Sequence, residues 1–360
     1  MSVTRDSEQQ GRAPDPALIQ RAVGVLARGG LVALPTETVY GLAADAHNEA
    51  AVRAVFAAKG RPVDHPLIVH VASAAEPDAP LDVWSAAPTP AARALARAFW
   101  PGPLTLVLPR SPWVLDAVTG GQETVALRCP AHPWAQALLG AYAAQCGHAL
   151  VAPSANAFGR ISPTTAAHVR ADLGEKPQGL VDLILDGGPC AVGIESTIVD
   201  CRGPRVCVLR PGAIARDALA AVLGYLPGDA DARAPRVSGR LPAHYAPRTA
   251  LELIGEAQLD ERLAQLAGES VAILGPAPAR PYPAHVLAHI PAAQEAADYA
   301  RALYGALHAL DASGAQRLLI VRPPQGGAWE AIHDRLARAA AGGGVYALEG
   351  GRHDAPDLNG

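Results

Sequence analysis

The sequence predicts an α/β protein with a mixed sheet, flanking helices and a smaller second α/β unit. Its 360 residues exceed what one hydrophobic core usually serves, so two domains are expected. Predicted helices and strands alternate in the first half and strands crowd together before residue 215, which indicates a mixed sheet. After a proline-rich stretch, short strands and helices alternate again, a pattern typical of a Rossmann-like unit.

Helical spacing and helix termini predict the first elements. From Pro16 to Gly30, apolar residues recur at helical spacing and stop at two glycines, which predicts a helix with a glycine terminus. The next segment, LVALPTETVYGLAAD, predicts a short strand that runs into a polar loop. A helix is predicted over NEAAVRAVFAAKG, with Asn48 as its cap and Lys59 at its end. The later elements of this part are predicted over the strand PLIVHVA, the helix AARALARAFW, the strands LTLVLP and TVALRCP, the helix HPWAQALLGAYAAQCG, and the strands ALVAPSAN, LVDLILDGG, STIVDC and RVCVLRPG.

The second part begins after a linker, which is predicted over residues 225–248 because the stretch is rich in proline and has no period. Its predicted strands are ALELIG, ESVAILG, HVLAHIP and RLLIVRP, and its predicted helices are AQLDERLAQLA, AAQEAADYARALYGALHAL and AWEAIHDRLARAAA. No G-x-G-x-x-G follows a strand, so the dinucleotide-binding fingerprint is missing.

Composition excludes several classes of protein. Half the residues are hydrophobic and 18% are charged, which favours a folded chain with a sizeable core. A net charge of -4 and an aromatic share of 4% do not favour a protein that wraps nucleic acid. The five cysteines form no CxxC pair, so we expect reduced thiols rather than a disulfide framework or a structural zinc site. No apolar stretch approaches the roughly 20 residues of a membrane span, and a cytoplasmic, soluble protein is expected.

Polar residues cluster where strands are predicted to end, which is where ligands bind in open α/β sheets. The motif PTETVYG places Thr36, Glu37, Thr38 and Tyr40 directly after an apolar strand. A turn whose threonines bond to their own backbone explains this motif equally well.

A lysine and an arginine stand two residues apart in KGRPVDHPLIVH. Lys59 is one of only two lysines in the chain, and Arg61 follows it. An ordinary solvated helix end explains the pair through the helix dipole, and a polyphosphate clamp explains it through two donors of different reach. His70, which closes the next strand, is either a structural hydrogen-bonding group or a ligand.

The segment VAPSANAFGRISPTT follows another apolar strand with Ser154, Asn156, Ser162 and Thr164. It lacks the G-x-S-x-G of a nucleophilic serine, so Ser154 is interpreted as a hydrogen-bond donor; an ordinary polar loop remains equally compatible.

Two arginines, Arg128 and Arg210, each end an apolar run, where an unpaired charge would be costly. No carboxylate partner is evident from the sequence, which favours a bound anion. The residues alone therefore predict a site for a nucleotide or another polyanion, with a second small ligand, and neither a covalent nucleophile nor a metal-ligand cluster.

Seven motifs occur in the order PTETVYGL, KGRP with PLIVHV, FWPGPLTLVL, VALRCP, VAPSAN, GIESTIVD and VLRPGAI. Together they resemble the L-threonylcarbamoyladenylate synthase family, the YrdC-like enzymes, over residues 16–215. The later SGRLPAHYAP and the second α/β unit are similar to the long, two-domain form. The resemblance implies a YrdC-like twisted mixed sheet with flanking helices, plus a smaller Rossmann-like C-terminal domain. The implied divisions are a disordered N-terminus at 1–15, a catalytic domain at 16–220, a linker or lid at 221–248, the Rossmann-like domain at 249–350 and a tail at 351–360.

The same resemblance implies site residues. The family's K-x-R and S-x-N motifs fall on Lys59, Arg61, Ser154 and Asn156, and the first two would be catalytic. Implied ATP-binding residues are Arg61, His65, Thr124, Ser154, Asn156, Ser162, Arg210 and Tyr245, with His65 standing where members usually carry asparagine. Implied threonine-binding residues are Thr38, His70, Arg128, Ala152 and Ser196.

The implied activity is synthesis of L-threonylcarbamoyl-AMP from L-threonine, bicarbonate or carbon dioxide, and ATP, with release of pyrophosphate. Mg²⁺ would accompany ATP, with no metal ligand from the protein. The product would pass to a tRNA threonylcarbamoyl transferase complex for modification of a tRNA adenosine, and no stable nucleic-acid or membrane binding is expected.

Three other functions compete with this one. A double-stranded RNA-binding or ribosome-associated module would suit a concave basic face, but the chain is net acidic with few aromatic residues. A hydrogenase-maturation carbamoyltransferase would need an acylphosphatase-like domain and CxxC zinc motifs, and neither is found. An NAD-dependent enzyme would need the missing glycine fingerprint.

Overall fold

The computed structural model describes residues 13–343. The predicted tail and most of the predicted disordered N-terminus lie outside these residues. By internal contacts, the described chain divides into one unit of residues 13–158, 162–240 and 326–332 and another of residues 159–161, 241–325 and 333–343.

Within the described residues, ten strands form the sheet of the first unit, in the order β10-β9-β8-β4-β5-β3-β6-β2-β1-β7. The strands are β1 (Val32–Leu34), β2 (Gly41–Asp45), β3 (Ile68–His70), β4 (Leu104–Pro109), β5 (Thr124–Arg128), β6 (Leu150–Val151), β7 (Leu183–Ile184), β8 (Thr197–Asp200), β9 (Cys207–Arg210) and β10 (Gly228–Asp229). Antiparallel pairs such as β4 with β5 and parallel pairs such as β3 with β5 occur together. The predicted mixed sheet is confirmed.

Eight helices occur before residue 225 in the described chain. They are α1 (Pro16–Ala27), α2 (Glu49–Lys59), α3 (Ala79–Trp84), α4 (Pro90–Phe99), α5 (Asp116–Thr119), α6 (Pro133–Cys146), α7 (Ala166–Asp172) and α8 (Arg216–Leu223). Local chemistry fixes their ends: the Asn48 side chain caps α2 by accepting from Ala51 N at 3.2 Å, and Gly60 ends it with φ 60°. The predicted cap and the predicted position of Lys59 in the last turn are therefore confirmed.

Alternation along the central strands separates two faces of this sheet. In β5, Val125 and Leu127 belong to the large apolar core, while Ala126 packs in a smaller cluster on the other face. Residues two apart share a face, so Thr124 and Arg128 lie on the face of Ala126. The second face is the one that carries the polar residues described below.

The second unit contains a parallel sheet with the strand order β11-β14-β12-β13. Its strands are β11 (Ala250–Ile254), β12 (Val271–Gly275), β13 (Val286–Pro291) and β14 (Arg317–Val321). The later helices of the chain are α9 (Leu259–Gln265), α10 (Ala296–Asp311) and α11 (Glu330–Gly342), with 3₁₀ turns at Glu256–Gln258 and Gly327–Trp329. The predicted alternation of short strands and helices is confirmed.

Several elements were not predicted from the sequence. The polar loop expected after β1 is short, and GLAAD continues as the buried strand β2. Helices α3, α5, α7 and α8 were also not predicted, and the expected linker contains the short strand β10. Glycine and alanine are weak strand formers, so β2 depends on its pairing with β1 and β6 rather than on local propensity.

Candidate active site

A single row of residues crosses five adjacent strands of the first unit. His70 is in register with Arg128, Arg128 with Thr105, Thr105 with Ile198, and Ile198 with Arg210. Residues in one row of a sheet share a face, so the row brings an imidazole, two guanidinium groups and a hydroxyl together on the second face. A register shift between β8 and β9 leaves Leu209 unpaired and brings Arg210 opposite Ile198.

A segment of the predicted linker packs on the same face. Val237 forms a buried cluster with Val107, Ile198 and Leu209. A small cavity of about 10 Å³ beneath it is lined by residues that include Thr124, Arg236 and Ser238. This part of the linker therefore lies against the sheet beside the polar row.

Arg128 has a carboxylate partner, and the expectation that it lacks one was wrong. Its Nη2 donates to Glu37 Oε1 at 2.6 Å, and the two side chains are only 5% and 10% exposed. Glu37 Oε2 accepts from Ala131 N at 3.0 Å. Glu37 and Arg128 are 91 residues apart in the sequence, so no local pattern indicated the pair.

The threonines of PTETVYG lie in a tight turn. Thr36 Oγ1 donates to Val39 O at 2.6 Å and accepts from Thr38 N at 3.2 Å. The two threonine hydroxyls are 2.9 Å apart, and both residues are buried. The backbone-bonded turn is thus present for Thr36, while Tyr40 donates its hydroxyl to Gly188 O at 2.7 Å.

Lys59 is buried, so the solvated helix end is the wrong interpretation of its position. Its Nζ donates to Ser154 O and to Asn156 O, each at 2.5 Å. Burial and the neighbouring Arg61 charge lower the pKa of Lys59 well below its usual value. The K-x-R and S-x-N motifs are therefore joined through a buried amine and two carbonyl groups.

Two arginines approach the linker segment, Arg61 from the turn after α2 and Arg210 from the end of β9. Arg61 Nη2 donates to Ser238 Oγ at 3.3 Å and to Pro66 O at 3.0 Å, while Arg210 Nη1 donates to Ser238 O at 3.0 Å. Ser238 thus contacts both guanidinium groups. The ring of Phe158 lies 5.7 Å from the Arg61 guanidinium carbon and meets the His65 ring edge-on at 5.3 Å.

Hydroxyl groups complete this end of the sheet. Ser196 Oγ lies 2.8 Å from Thr105 Oγ1, and Arg210 Nη2 donates to Ser196 O at 2.9 Å. The Ser162 hydroxyl donates to Glu195 Oε1 at 2.6 Å in a buried contact. Gly212 packs against the backbone at the start of β8. A Cβ atom at this position would lie 2.3 Å from Thr197 N, so any residue other than glycine would clash.

His70 is held in one tautomer. Its Nδ1 lies 3.0 Å from Ile68 O, which can only accept, so Nδ1 carries the proton and Nε2 is an acceptor. Burial and the nearby Arg128 lower the pKa of His70 to about 3. The imidazole is therefore neutral at physiological pH.

Most predicted site residues come together in the first unit, but Tyr245 does not belong to it. Tyr245 is in the second unit, where its ring lies 5.1 Å from the Arg335 guanidinium carbon and 5.7 Å from the Tyr304 ring. Ala152 follows β6 and donates its N–H to Ile68 O at 3.2 Å.

Sequence reasoning missed Thr105, Glu195 and Ser238 as members of the polar cluster. Thr105 had a usable signal, since it is the polar residue in the alternating strand LTLVLP.

The arrangement favours binding of an anion rather than covalent catalysis. Basic side chains on α2, β5 and β9 lie near hydroxyl donors and neutral acceptors. Among its described hydrogen bonds, Ser154 has no histidine partner that could activate it as a nucleophile. Phosphate oxygens would suit the fork geometry of Arg61 and Arg210.

Comparisons with known proteins agree with this geometry. A family model described as telomere recombination, for Sua5, YciO and YrdC proteins, matches residues 24–212. A second model, described as the C-terminal domain of threonylcarbamoyl-AMP synthase, matches residues 214–341. A threonylcarbamoyl-AMP synthase from Bacillus subtilis is 38% identical over 338 residues, which cover 91% of this chain and 94% of that protein. The chain belongs to the threonylcarbamoyl-AMP synthase family.

A second relative and a solved structure extend the match to both units. The threonylcarbamoyl-AMP synthase of Pyrococcus abyssi is 36% identical, covering 89% of this chain and 94% of that protein. The crystal structure of P. abyssi Sua5 complexed with L-threonine superposes with a TM-score of 0.81 at 35% identity, covering 91% and 95% of the two chains. The family resemblance and the two-domain α/β fold inferred from sequence are confirmed, and the chain is a nucleotidyltransferase-type enzyme of this family.

Two findings bear on the remaining sequence expectations. All five cysteines are free, and three of them, Cys129, Cys190 and Cys201, are buried. Within residues 13–343 there is no helix with the length and apolar composition needed to cross a bilayer.

Proposed function

We propose that the protein makes L-threonylcarbamoyl-AMP from L-threonine, bicarbonate or carbon dioxide, and ATP, releasing pyrophosphate. Family membership and the threonine complex of P. abyssi Sua5 support this activity. The single observation that carries the substrate assignment is at Arg128. Its Nε is buried and has no hydrogen-bond partner within the described residues, although the same guanidinium binds Glu37. A donor is thus left for a second carboxylate.

Threonine fits the row of residues that contains Arg128. Its carboxylate would accept from the free guanidinium donor, and its hydroxyl would donate to His70 Nε2, which the tautomer makes an acceptor. Thr38, Ser196 and the backbone of Ala152 supply the remaining polar contacts. A site that hydrogen-bonds a substrate hydroxyl rejects an analogue lacking it by on the order of 10⁴-fold.

ATP fits beside this row, between the two motifs that Lys59 joins. Arg61 and Arg210 are the phosphate-binding cations. A further set of residues supplies hydrogen bonds to the nucleotide and forms the walls of its site. We assign that set to Thr124, Ser154, Asn156, Ser162 and His65. Mg²⁺ enters with ATP as part of the substrate, and we propose no protein ligand for it.

The chemical steps follow from the two substrates. The threonine amine attacks carbon dioxide, loses a proton and becomes a carbamate. A carbamate oxygen then attacks the α-phosphorus of ATP while the bond to the β-phosphate bridging oxygen breaks, so pyrophosphate leaves with the electron pair. Lys59 and Arg61 stabilise the charge on the leaving group, and Lys59 also orders the loop after β6 through its carbonyl contacts.

The part of the linker that belongs to the first unit is proposed to act as a lid over the nucleotide. Ser238 supports the proposal because its backbone and hydroxyl already bind Arg210 and Arg61. The product would then pass to the enzymes that place threonylcarbamoyl groups on a tRNA adenosine.

The test is pyrophosphate release from Mg²⁺-ATP and bicarbonate, with and without L-threonine, together with mass spectrometry for the adenylate. Release that needs both threonine and bicarbonate, with a threonylcarbamoyl-AMP mass, is expected. L-2-aminobutyrate, which lacks the hydroxyl, should be a poor substrate. Arg128→Gln should raise KM for threonine much more than KM for ATP. If a folded, ATP-binding protein shows no threonine-dependent release, the assignment fails, and RNA binding at two salt concentrations becomes the next assay.

A further inference from the structure

A second cluster of chemistry-bearing residues lies at the far end of β2. Gly41, at the start of this strand, pairs with Ser154 of the candidate active site, whereas Asp45 ends the strand four residues later, about 13 Å away at the rise of a β-strand. Asp45 is paired in register with Leu150 of β6. Residues near this strand end have no part in the proposed synthase reaction.

The antiparallel register brings two histidines face to face beyond the strand ends. Asp45 opposes Leu150, and Ala46 N donates to Ala149 O at 3.0 Å, so the next pair is His47 with His148. The two imidazole rings stack with centroids 4.1 Å apart. His47 lies in the turn two residues after the end of β2, and the side chains of Asp45, His47 and His148 come together beside this turn.

The ligand atoms of this cluster converge. One ring nitrogen of each histidine and one carboxylate oxygen all lie within 4.8 Å of one another. Asp45 Oδ2 is 3.2 Å from His148 Nδ1, and Asp45 Oδ1 is 3.7 Å from His47 Nδ1. The two distances involve different carboxylate oxygens, and the shorter one is a hydrogen bond. A tetrahedral ion with arms of about 2.0–2.1 Å has ligand atoms about 3.3 Å apart, close to this shorter distance, so an ion would take the place of the proton that Asp45 and His148 share.

His47 Nδ1 has an unfilled bonding position. It is buried and has no hydrogen-bond partner within residues 13–343, since its distance to Asp45 is too long for one. The ring is held in place by Trp113, stacked at 5.0 Å, and by Trp84, edge-on at 5.3 Å. A buried, orphaned imidazole nitrogen that faces a carboxylate and a second imidazole has the chemistry of a metal ligand.

We propose that Asp45, His47 and His148 bind a borderline divalent transition-metal ion of the Zn²⁺ type, separate from the synthase site. Two imidazoles with one carboxylate suit Zn²⁺, Ni²⁺ or Co²⁺, whereas Mg²⁺ and Ca²⁺ favour all-oxygen ligands. The His148 side chain is 38% exposed, which provides an entry path and room for water in the fourth position. The bound ion would join the turn after β2 to the turn before β6.

The experiment titrates the metal-free, full-length protein with Zn²⁺ by calorimetry and with Co²⁺ by absorption spectroscopy. One ion per chain is expected, with a Co²⁺ spectrum of nitrogen and oxygen ligands. His148→Ala and Asp45→Asn should each weaken binding by more than about 100-fold, because even outer-shell partners of metal ligands are worth about 10–100-fold. Mg²⁺ should not compete.

The matched control is His285→Ala in the second unit. His285 Nε2 is also buried without a hydrogen-bond partner in the described chain, but His285 is in no group of three potential ligands there. This variant should bind Zn²⁺ like the parent, and His148→Ala should keep the parent's circular dichroism and threonine-dependent turnover. Absence of saturable binding overturns the proposal. So does an equal loss in His285→Ala, or a sulfur-to-Co²⁺ charge-transfer band, which would place the ion on cysteines.

Discussion

Replacing Glu37 by glutamine tests the buried Glu37–Arg128 pair. Glutamine keeps the shape of the side chain and an oxygen for Ala131 N, but it removes the negative charge 2.6 Å from the Arg128 guanidinium. Breaking a buried pair typically costs about 3–5 kcal/mol, because the remaining charge is left uncompensated. With a urea m-value of about 3 kcal/mol per molar, the unfolding midpoint should fall by roughly 1–1.7 M.

The chain supplies a matched control for this substitution. Glu49 binds Arg53 at the same 2.6 Å, but these side chains are 53% and 62% exposed. Glu49→Gln should therefore cost at most about 0.5 kcal/mol, since solvent screens an exposed pair. Both variants are measured by urea unfolding with tryptophan fluorescence, which reports on the first unit because all five tryptophans belong to it.

The effect of added threonine on the stability of Glu37→Gln is a second test of the same variant. Its carboxylate would replace the lost Glu37 charge beside Arg128, so saturating threonine should stabilise Glu37→Gln more than it stabilises the parent. Equal midpoints for Glu37→Gln and Glu49→Gln would refute the stability reasoning. A threonine effect that is no larger in the variant would instead refute the placement of the carboxylate at Arg128.

Three further predictions follow from the site. Lys59→Met should lower the rate of threonine-dependent pyrophosphate release at least tenfold while circular dichroism stays unchanged, because the loop after β6 loses its buried donor; normal turnover would contradict this. His70 has a pKa near 3 when folded and an ordinary value near 6.5 when unfolded. Its contribution to stability is therefore complete above pH 6.5 and falls by up to about 1.4 kcal/mol per pH unit below it. Urea midpoints at pH 7.5 and 5.5 should differ less in His70→Gln than in the parent, and an equal difference would rule this out. Ser162→Ala removes the 2.6 Å donor to the Glu195 carboxylate and should cost about 1.5–3 kcal/mol in the free energy of unfolding, which the same urea measurement checks; a change below about 0.5 kcal/mol would show that the contact is not needed.

The sequence predicted local features well and long-range partners poorly. Helical spacing and the Asn48 cap placed α2, and LTLVLP matched the bounds of β4. His70, Arg128 and Arg210 were expected at strand ends, where the structure has them. These predictions succeeded because periodicity and capping depend on residues a few positions apart.

The partners of those residues depend on contacts that no short pattern encodes. Glu37 meets Arg128 across 91 residues, and Ser238 meets Arg61 across 177. His47 and His148 become neighbours only through the register of β2 and β6. Carboxylates and hydroxyls are common on loops, so their sequence context alone did not distinguish Glu37, Glu195 or Ser238 from solvated residues.

The alternation along β5 separates positions whose substitution mainly affects folding from positions whose substitution mainly affects turnover. Substitutions at Val125 and Leu127 would act through the amount of folded protein, whereas substitutions at Thr124 and Arg128 would reduce turnover per folded molecule. At Arg128, loss of the buried contact with Glu37 would lower stability as well. A saturation-mutagenesis scan scored once for abundance and once for product would therefore show two signals of period two, out of phase by one residue. A single-residue insertion in this strand would exchange the two sets and eliminate both properties together.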